Sequence, residues 1–362
     1  MRTALLLALL LGASALSVAA QSETPGVTPT AEYDIGFDCP IAQALSPDGA
    51  VLWVLMQGCF SRAYSLQAFS VADGAPVDTG SDYTEALEPL RAGYVDSFTN
   101  PMAFTPEGVL SIHYVDNETF QPRSLAISLE GEAVTPLISD EALADLLSTY
   151  TDYPETTVFS ADHTQAAVVG VADLTVLDLT TGEERFSLPT GPAEYNAFPS
   201  FSADGQTLYV AQLDDFDDME NYASTLSAYH LPDGAPLDSA AMPSPFAWIS
   251  PDGRYAAVLL EANDSAAADL FVVDLASGGL TEPFPLYEPP SRVLACANDG
   301  RNMSDVDFTA SGRLNLTSVS WLPDSSAFVF TRSYGGEGAG GARPCVFNYS
   351  RLNRFDVGAE SE

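Results

Sequence analysis

Ile249-Ser250-Pro251-Asp252-Gly253 is the stretch that decides the fold. An apolar residue closes a strand, Pro presets φ for the second turn position and Asp suits the third. Gly then takes the left-handed conformation that closes a tight hairpin. The run that follows, Tyr255-Ala256-Ala257-Val258-Leu259, is the length and composition of a buried strand leaving that turn. The phrase returns as Leu45-Ser46-Pro47-Asp48-Gly49, Phe104-Thr105-Pro106-Glu107-Gly108 and Phe159-Ser160-Ala161-Asp162-His163. It occurs again as Phe201-Ser202-Ala203-Asp204-Gly205 and, most worn, as Trp321-Leu322-Pro323-Asp324-Ser325. His163 and Ser325 stand where Gly belongs, so those turns are expected to be looser, and His163 reads as a turn residue.

A second phrase follows each first one. Leu174-Thr175-Val176-Leu177-Asp178-Leu179-Thr180-Thr181-Gly182 and Leu270-Phe271-Val272-Val273-Asp274-Leu275-Ala276-Ser277-Gly278 are near-copies, and Leu66 to Gly74 and Leu226 to Gly234 share their outline. Each unit therefore holds four short antiparallel strands, A to D, with the Pro-Asp-Gly turn between A and B and the Ser-Gly turn between C and D. Repetition of such units without intervening helices describes an all-β propeller. Six turn phrases imply six blades. A worn strand and turn at Val306 to Gly312 leaves a seventh, degenerate blade around 284–316 as the alternative. Short helical patterns at Glu85-Ala86-Leu87 and Glu141 to Leu147 fall between blades.

With Ser-Pro-Asp-Gly, its following strand and the Val-Asp-Leu-x-Ser-Gly hairpin in hand, the chain resembles the TolB-type, WD-like β-propeller repeat family over about residues 33 to 360. The resemblance implies a fold. It implies no particular activity, because transport accessories, peptidase propellers and unassigned exported proteins share the repeat.

The ends of the chain set its compartment. One positive charge in Met1-Arg2-Thr3, the apolar run Ala4 to Leu11 and the small residues Val18-Ala19-Ala20 read as a signal peptide, residues 1–20, cleaved near Ala20-Gln21. Residues 21–32 form a flexible Thr/Pro/Glu-rich leader, and 33–362 a single propeller domain. No later segment approaches the roughly 18 apolar residues of a membrane span. A secreted or periplasmic monomer is expected, with Tyr33 to Phe37 pairing with the last blade to close the ring. Five Asn-x-Ser/Thr sequons, at Asn117, Asn263, Asn302, Asn315 and Asn348, are acceptors only in a glycosylating host.

Charge narrows the partners. The sequence carries 50 acidic against 13 basic residues, a net −37, and every basic residue is Arg. Such a surface repels nucleic acid and anionic lipid, which are bound by neutralising phosphate. It reads as a solvated acidic coat that keeps the protein soluble in salt.

Loop length assigns a working face. The A–B and C–D turns are short and stereotyped. The B–C loops (57–65, 114–121, 212–223, 332–343) and the D–A stretches (81–99, 283–316) are long, and long loops on a rigid scaffold are where recognition concentrates. Cys39 and Cys59 flank the first blade's long loops and Cys296 and Cys345 the last blade's, so Cys39–Cys59 and Cys296–Cys345 are the expected disulfides. They would flank the seam where the ring closes.

Chemistry is thin. No Gly-x-Ser-x-Gly occurs, and His113, His163 and His230 sit in no catalytic pattern. His113, near the long-loop face, is a candidate ligand-binding residue. Asp214, Asp215, Asp217 and Asp218 form the densest acid cluster and a candidate Ca²⁺ site, without the glycine of an EF-hand. Asn100, Glu155 and Asn196 fall at inner-strand starts, an arrangement similar to the calcium site of lactonase-type propellers. The leading expectation is thus a non-catalytic propeller that binds a protein, peptide or glycan through its long-loop face. The alternative is a Ca²⁺-dependent, lactonase-like hydrolase at the channel mouth.

Overall fold

The computed structural model describes residues 30–36, 39–57, 63–95, 101–105, 107–136, 138–151, 157–160, 162–190, 197–202, 205–213, 224–261, 268–281, 284–285, 312–316, 319–338 and 345–357. Six antiparallel sheets follow one another around a ring. Strand β1 (Ala31–Gly36) leaves the N-terminus for the last blade. Blade 1 is β2 (Cys39–Leu45), β3 (Val51–Gln57) and β4 (Tyr64–Ser70), with a single bridge from Phe69 to Pro76 as the rudiment of its outer strand. A 3-10 turn, Glu88–Ala92, leads into blade 2. That blade holds β5 (Gly93–Tyr94), β6 (Met102–Phe104), β7 (Leu110–Asp116), β8 (Pro122–Ile127) and β9 (Ala133–Val134).

Helix α1 (Asp140–Leu147) stands between blades 2 and 3. Blade 3 is β10 (Thr157–Phe159), β11 (Gln165–Val169), β12 (Asp173–Asp178) and β13 (Glu183–Pro189). Blade 4 is β14 (Ala197–Phe201), β15 (Thr207–Leu213), β16 (Ser224–His230) and β17 (Pro236–Met242). Blade 5 is β18 (Ala247–Ile249), β19 (Tyr255–Glu261), β20 (Ala268–Asp274), β21 (Gly279–Leu280) and β22 (Phe284–Pro285). Blade 6 is β23 (Gly312–Leu316), β24 (Ser320–Trp321), β25 (Ala327–Gly338) and β26 (Cys345–Asp356), with β1 as its outer strand.

The chain is a six-bladed propeller. The seventh-blade alternative fails because β23 pairs with the far half of β25, Leu316 opposite Arg332, and so widens blade 6. For the same reason Arg332 to Gly338 is strand, not loop: the β25–β26 hairpin continues to Gly338 opposite Cys345. Ring closure follows the expected course, with Tyr33 of β1 opposite Leu352. Of the two helical patterns, 141–147 forms α1, capped by Ser139, whose side chain accepts from Ala142 N at 3.3 Å. The 85–87 pattern lies just before the 3-10 turn.

Five buried clusters each join two adjacent blades, and a sixth packs α1 against blade 3. Side chains alternate along each B strand, so one row faces the previous blade and the other the next. Leu52, Val54 and Met56 thus meet Val329 and Leu352 of blade 6, while Trp53 and Leu55 meet Leu110 and Ile112 of blade 2. Trp53 lies edge-on to Tyr83 and Phe104, with ring centres 5.7 and 6.0 Å away.

The turn phrase works as a hydrogen-bonded unit with Ser at its hub. Ser250 Oγ donates to Asp252 Oδ1 at 2.6 Å and accepts from Tyr255 N at 2.9 Å, while Asp252 Oδ1 accepts from Arg254 N at 3.0 Å. Gly253 N donates to Ser250 O at 2.8 Å and has φ +69°. Blade 1 repeats each bond with Ser46 and Asp48, and the Ser46 and Ala50 donors hold the Asp48 carboxyl below its usual range. His163 and Ser325 occupy the Gly position with φ of 55° and 61°, so both are turn residues held left-handed against their side-chain preference.

Candidate functional site

A strand B runs from its A–B turn to its B–C loop, so its C-terminal end lies on the long-loop side of the ring. There, between blades 1 and 2, a cleft of about 240 Å³ is lined by Ile41, Gln57, Tyr64, Arg91, Gly93, Tyr94, Val95 and Asn117. Its walls come from three of the segments whose length marks them as variable. Gln57 ends β3 and Tyr64 opens β4, on either side of the first B–C loop. Asn117 belongs to the second B–C loop, and Arg91 to Val95 to the D–A stretch between the blades.

Local structure explains each placement. Ile41 is the extra residue of a β-bulge, since Pro40 pairs with Met56 and Ala42 with Leu55. Gly93 lets β5 lie against β7: a Cβ there would sit 2.4 Å from the Tyr114 ring and 2.7 Å from Val115 O. Asn117 N donates to Ala92 O at 2.8 Å, tying the loop to the stretch beside it. That loop is braced by Asp116, whose Oδ1 accepts from Glu118 N at 3.0 Å and Thr119 N at 2.8 Å. The Thr119 and Glu118 bonds hold the Asp116 carboxyl ionised below its ordinary range. Phe120, in the same loop, has φ 55° and is 67 % exposed. Arg91 is half-exposed, with Nε 3.2 Å from Glu88 Oε2.

The cleft therefore presents one guanidinium, two amides and two phenol rings beside the aliphatic side chains of Ile41 and Val95, in a chain with a net charge of −37. Those groups orient polar ligands through hydrogen bonds and stack on flat ones. Among the described residues no three His, Cys, Asp or Glu side chains gather to hold a metal.

His113 lies elsewhere, at the centre of β7 and on the row facing blade 3. Its ring stacks on Phe159 at 3.6 Å and 10°, and its Nε2 is 3.0 Å from His163 Nδ1. Both rings are buried, and His113 Nδ1 and His163 Nε2 have no hydrogen-bond partner. Burial holds both imidazoles neutral. It pushes His113 well below the ordinary value, with a further push from His163, and brings His163 down to about 4 against the opposing field of Asp162. His230 ends β16, its Nδ1 2.9 Å from Asp233 Oδ1.

Asn100, Glu155 and Asn196, and likewise Asp214, Asp215, Asp217 and Asp218, lie outside the described residues. So do Cys59, Cys296 and the side chains of Cys39 and Cys345, whose backbones open β2 and β26. Sequence reasoning reached the segments that form the cleft but not Ile41, Arg91, Gly93 or Tyr94 individually. Loop length signals where chain is free to vary, not which side chain turns inward. The pairing of His163 with His113 was also out of reach, since it spans two blades.

No protein-family model and no curated protein matches the chain. Solved structures do. Hydrazine synthase of Kuenenia stuttgartiensis is 15 % identical with a TM-score of 0.41, over 86 % of this chain and 80 % of that one. TolB from Acinetobacter baumannii is 13 % identical with a TM-score of 0.45, over 84 % of this chain and 64 % of that one. Similarity at this level assigns no role to this chain. No helix among the described residues is long and apolar enough to cross a membrane.

Proposed function

We propose that this protein is an exported, non-catalytic propeller that captures a protein, peptide or glycan ligand on its long-loop face, centred on the cleft between blades 1 and 2. The observation that carries this reading is the convergence of three long, variable segments on one cleft, at Gln57 and Tyr64, at Asn117, and at Arg91 to Tyr94. Rigid blades position the loops, and the loops supply recognition. Phe120, exposed in the same loop as Asn117, adds an apolar anchor beside the polar lining. The acidic surface disfavours nucleic acid and anionic membrane, leaving Arg91 as a cation that a carboxylate or a sugar hydroxyl would engage. Export is supported by the N-terminal signal sequence, with cleavage near Ala20-Gln21. Cys39 lies opposite Gln57 in the β2–β3 ladder, two residues short of Cys59, which favours the Cys39–Cys59 disulfide.

Display of the immobilised protein to a random-peptide phage library and a glycan array tests the reading. Ligands enriched on the wild type should lose at least tenfold in affinity on a Tyr94→Ala/Asn117→Ala double variant. Equal binding to both proteins would remove the cleft as the site.

A further inference from the structure

The seam between blades 2 and 3 is built unlike its neighbours. At the other seams apolar side chains from both blades meet, as Ala257 and Leu259 meet Phe328 and Phe330 between blades 5 and 6. Here the apolar cluster comes from blade 3 and α1, with Leu143, Leu147, Phe159, Ala166, Val168 and Leu177, and among the described residues blade 2 adds nothing to it. Leu110 and Ile112 face blade 1, so the row that β7 turns toward blade 3 is Ser111, His113 and Val115. The two blades are therefore joined at depth by an imidazole pair.

We propose that this seam is an acid-operated hinge: proton uptake by the His113–His163 pair parts the two rings and separates blade 2 from blade 3. Each neutral imidazole has one N–H and one bare nitrogen. One ring donates to the other across the 3.0 Å contact. Of the two outer nitrogens, one then carries hydrogen and the other is bare. Neither has a partner, and the side chains are 7 % and 3 % exposed. A proton from solvent can join only that bare nitrogen, leaving a buried cation with two outward N–H groups and no acceptor. A second proton would set N–H against N–H across the contact and break it.

Among the described residues the one counter-charge acting on His163, Asp162, does not outweigh burial. Asp162 Oδ1 already accepts from Ser160 Oγ at 2.7 Å, Thr164 N at 3.1 Å and Thr164 Oγ1 at 2.9 Å. Strands β10 and β11 carry no ionisable side chain. On α1, Asp140 is engaged by Ser124 N at 2.9 Å and Arg123 at 3.5 Å, and Glu141 and Asp145 are exposed. Opening the seam hydrates both rings and returns them to the ordinary imidazole range. Closed and open states thus differ in proton affinity, and acid favours the open one.

Amide hydrogen exchange between pH 7 and 4.5, corrected for its intrinsic pH dependence, reads the hinge. Below about pH 6.5, protection in β7 and β11 should fall about tenfold per pH unit for each proton taken up on opening, while β15 and β19 keep theirs. In a His113→Phe/His163→Gly variant, which fills the stack on Phe159 and restores Gly to the turn, the extra slope should vanish. A flat wild-type profile, or an unchanged slope in the variant, overturns the proposal. Should that variant not fold, the wild-type imidazole C2–H resonances decide. Rings of His113 and His163 still neutral at pH 5.5 in the closed protein support it, and titration there near 6.5 overturns it.

Discussion

The seam between blades 6 and 1 and the seam between blades 2 and 3 are both crossed by buried polar side chains, and they handle them in opposite ways. Between blades 6 and 1, Gln43 spends its whole hydrogen-bonding capacity. Its Nε2 donates to Ser320 Oγ at 2.9 Å and Val329 O at 3.0 Å, and its Oε1 accepts from Thr331 N at 2.9 Å and Thr331 Oγ1 at 3.0 Å. Between blades 2 and 3, the two imidazoles satisfy only each other and leave an outer nitrogen apiece unpaired. A satisfied buried network locks one arrangement, whereas a half-satisfied one leaves the arrangement open to a competitor such as a proton or water. The difference fits the position of each seam. Blades 6 and 1 hold the two ends of the chain and must close the ring. Blades 2 and 3 follow each other along the chain and stay linked through α1 even when parted.

The largest test of that contrast is Gln43→Leu. It removes Gln43 as the partner of Thr331 N and Oγ1, Ser320 Oγ and Val329 O in a seam where Gln43 itself is 0 % exposed, and should cost about 4 kcal/mol. Urea unfolding would measure it, and a loss under about 1 kcal/mol would erase the distinction between the seams. Next comes pH. Because the folded His163 lies at about 4 against 6.5 unfolded, the unfolded state binds protons first as pH falls. Stability is full above pH 6.5 and declines until about pH 4, by about 3 kcal/mol for this ring alone. Carboxylates also titrate in that range, so the quantity to follow is the wild type minus the His113→Phe/His163→Gly variant. A constant difference from pH 7 to 4.5 would contradict the assignment.

The smallest effects compare two turn glycines. A Cβ on Gly74 would lie 1.9 Å from the Tyr33 ring of β1, whose hydroxyl donates to Ala72 O at 3.1 Å, whereas Gly182 has open space around it. Both have positive φ, +65° and +72°. Gly74→Ala should cost about 2–3 kcal/mol and loosen the closing strand, and Gly182→Ala about 1 kcal/mol from backbone strain alone. Thermal unfolding of the pair checks the ranking. Equal losses would mean that Tyr33 does not pack as closely as its position indicates.

Much of the fold was legible because it is encoded locally. Ser250-Pro251-Asp252-Gly253 makes its own turn from bonds within five residues, so the phrase could be counted and the blades with it. His163 could be placed in such a turn for the same reason. The 284–316 stretch, with its worn strand and turn at Val306 to Gly312, misled in its alternative reading because a worn strand looks the same whether it belongs to a blade of its own or widens a neighbour. Only the pairing of Gly312 to Leu316 with Arg332 to Gly336 decides. The cleft was half legible: loop lengths pointed to its three segments, but Gly93 and the bulge at Ile41 matter through contacts with strands elsewhere in the chain.

The sequence by itself determined the repeat, the turn chemistry and the acidic surface, since each depends on neighbours in the chain or on composition. Tertiary structure alone decided which polar side chains meet across the seams. Gln43 and Thr331 are 288 residues apart and His113 and His163 50 apart, and no periodicity relates them. Whether a buried polar group is a lock or a weak point depends on how many of its hydrogen bonds are met, and that can be counted only when both walls of the seam are in place.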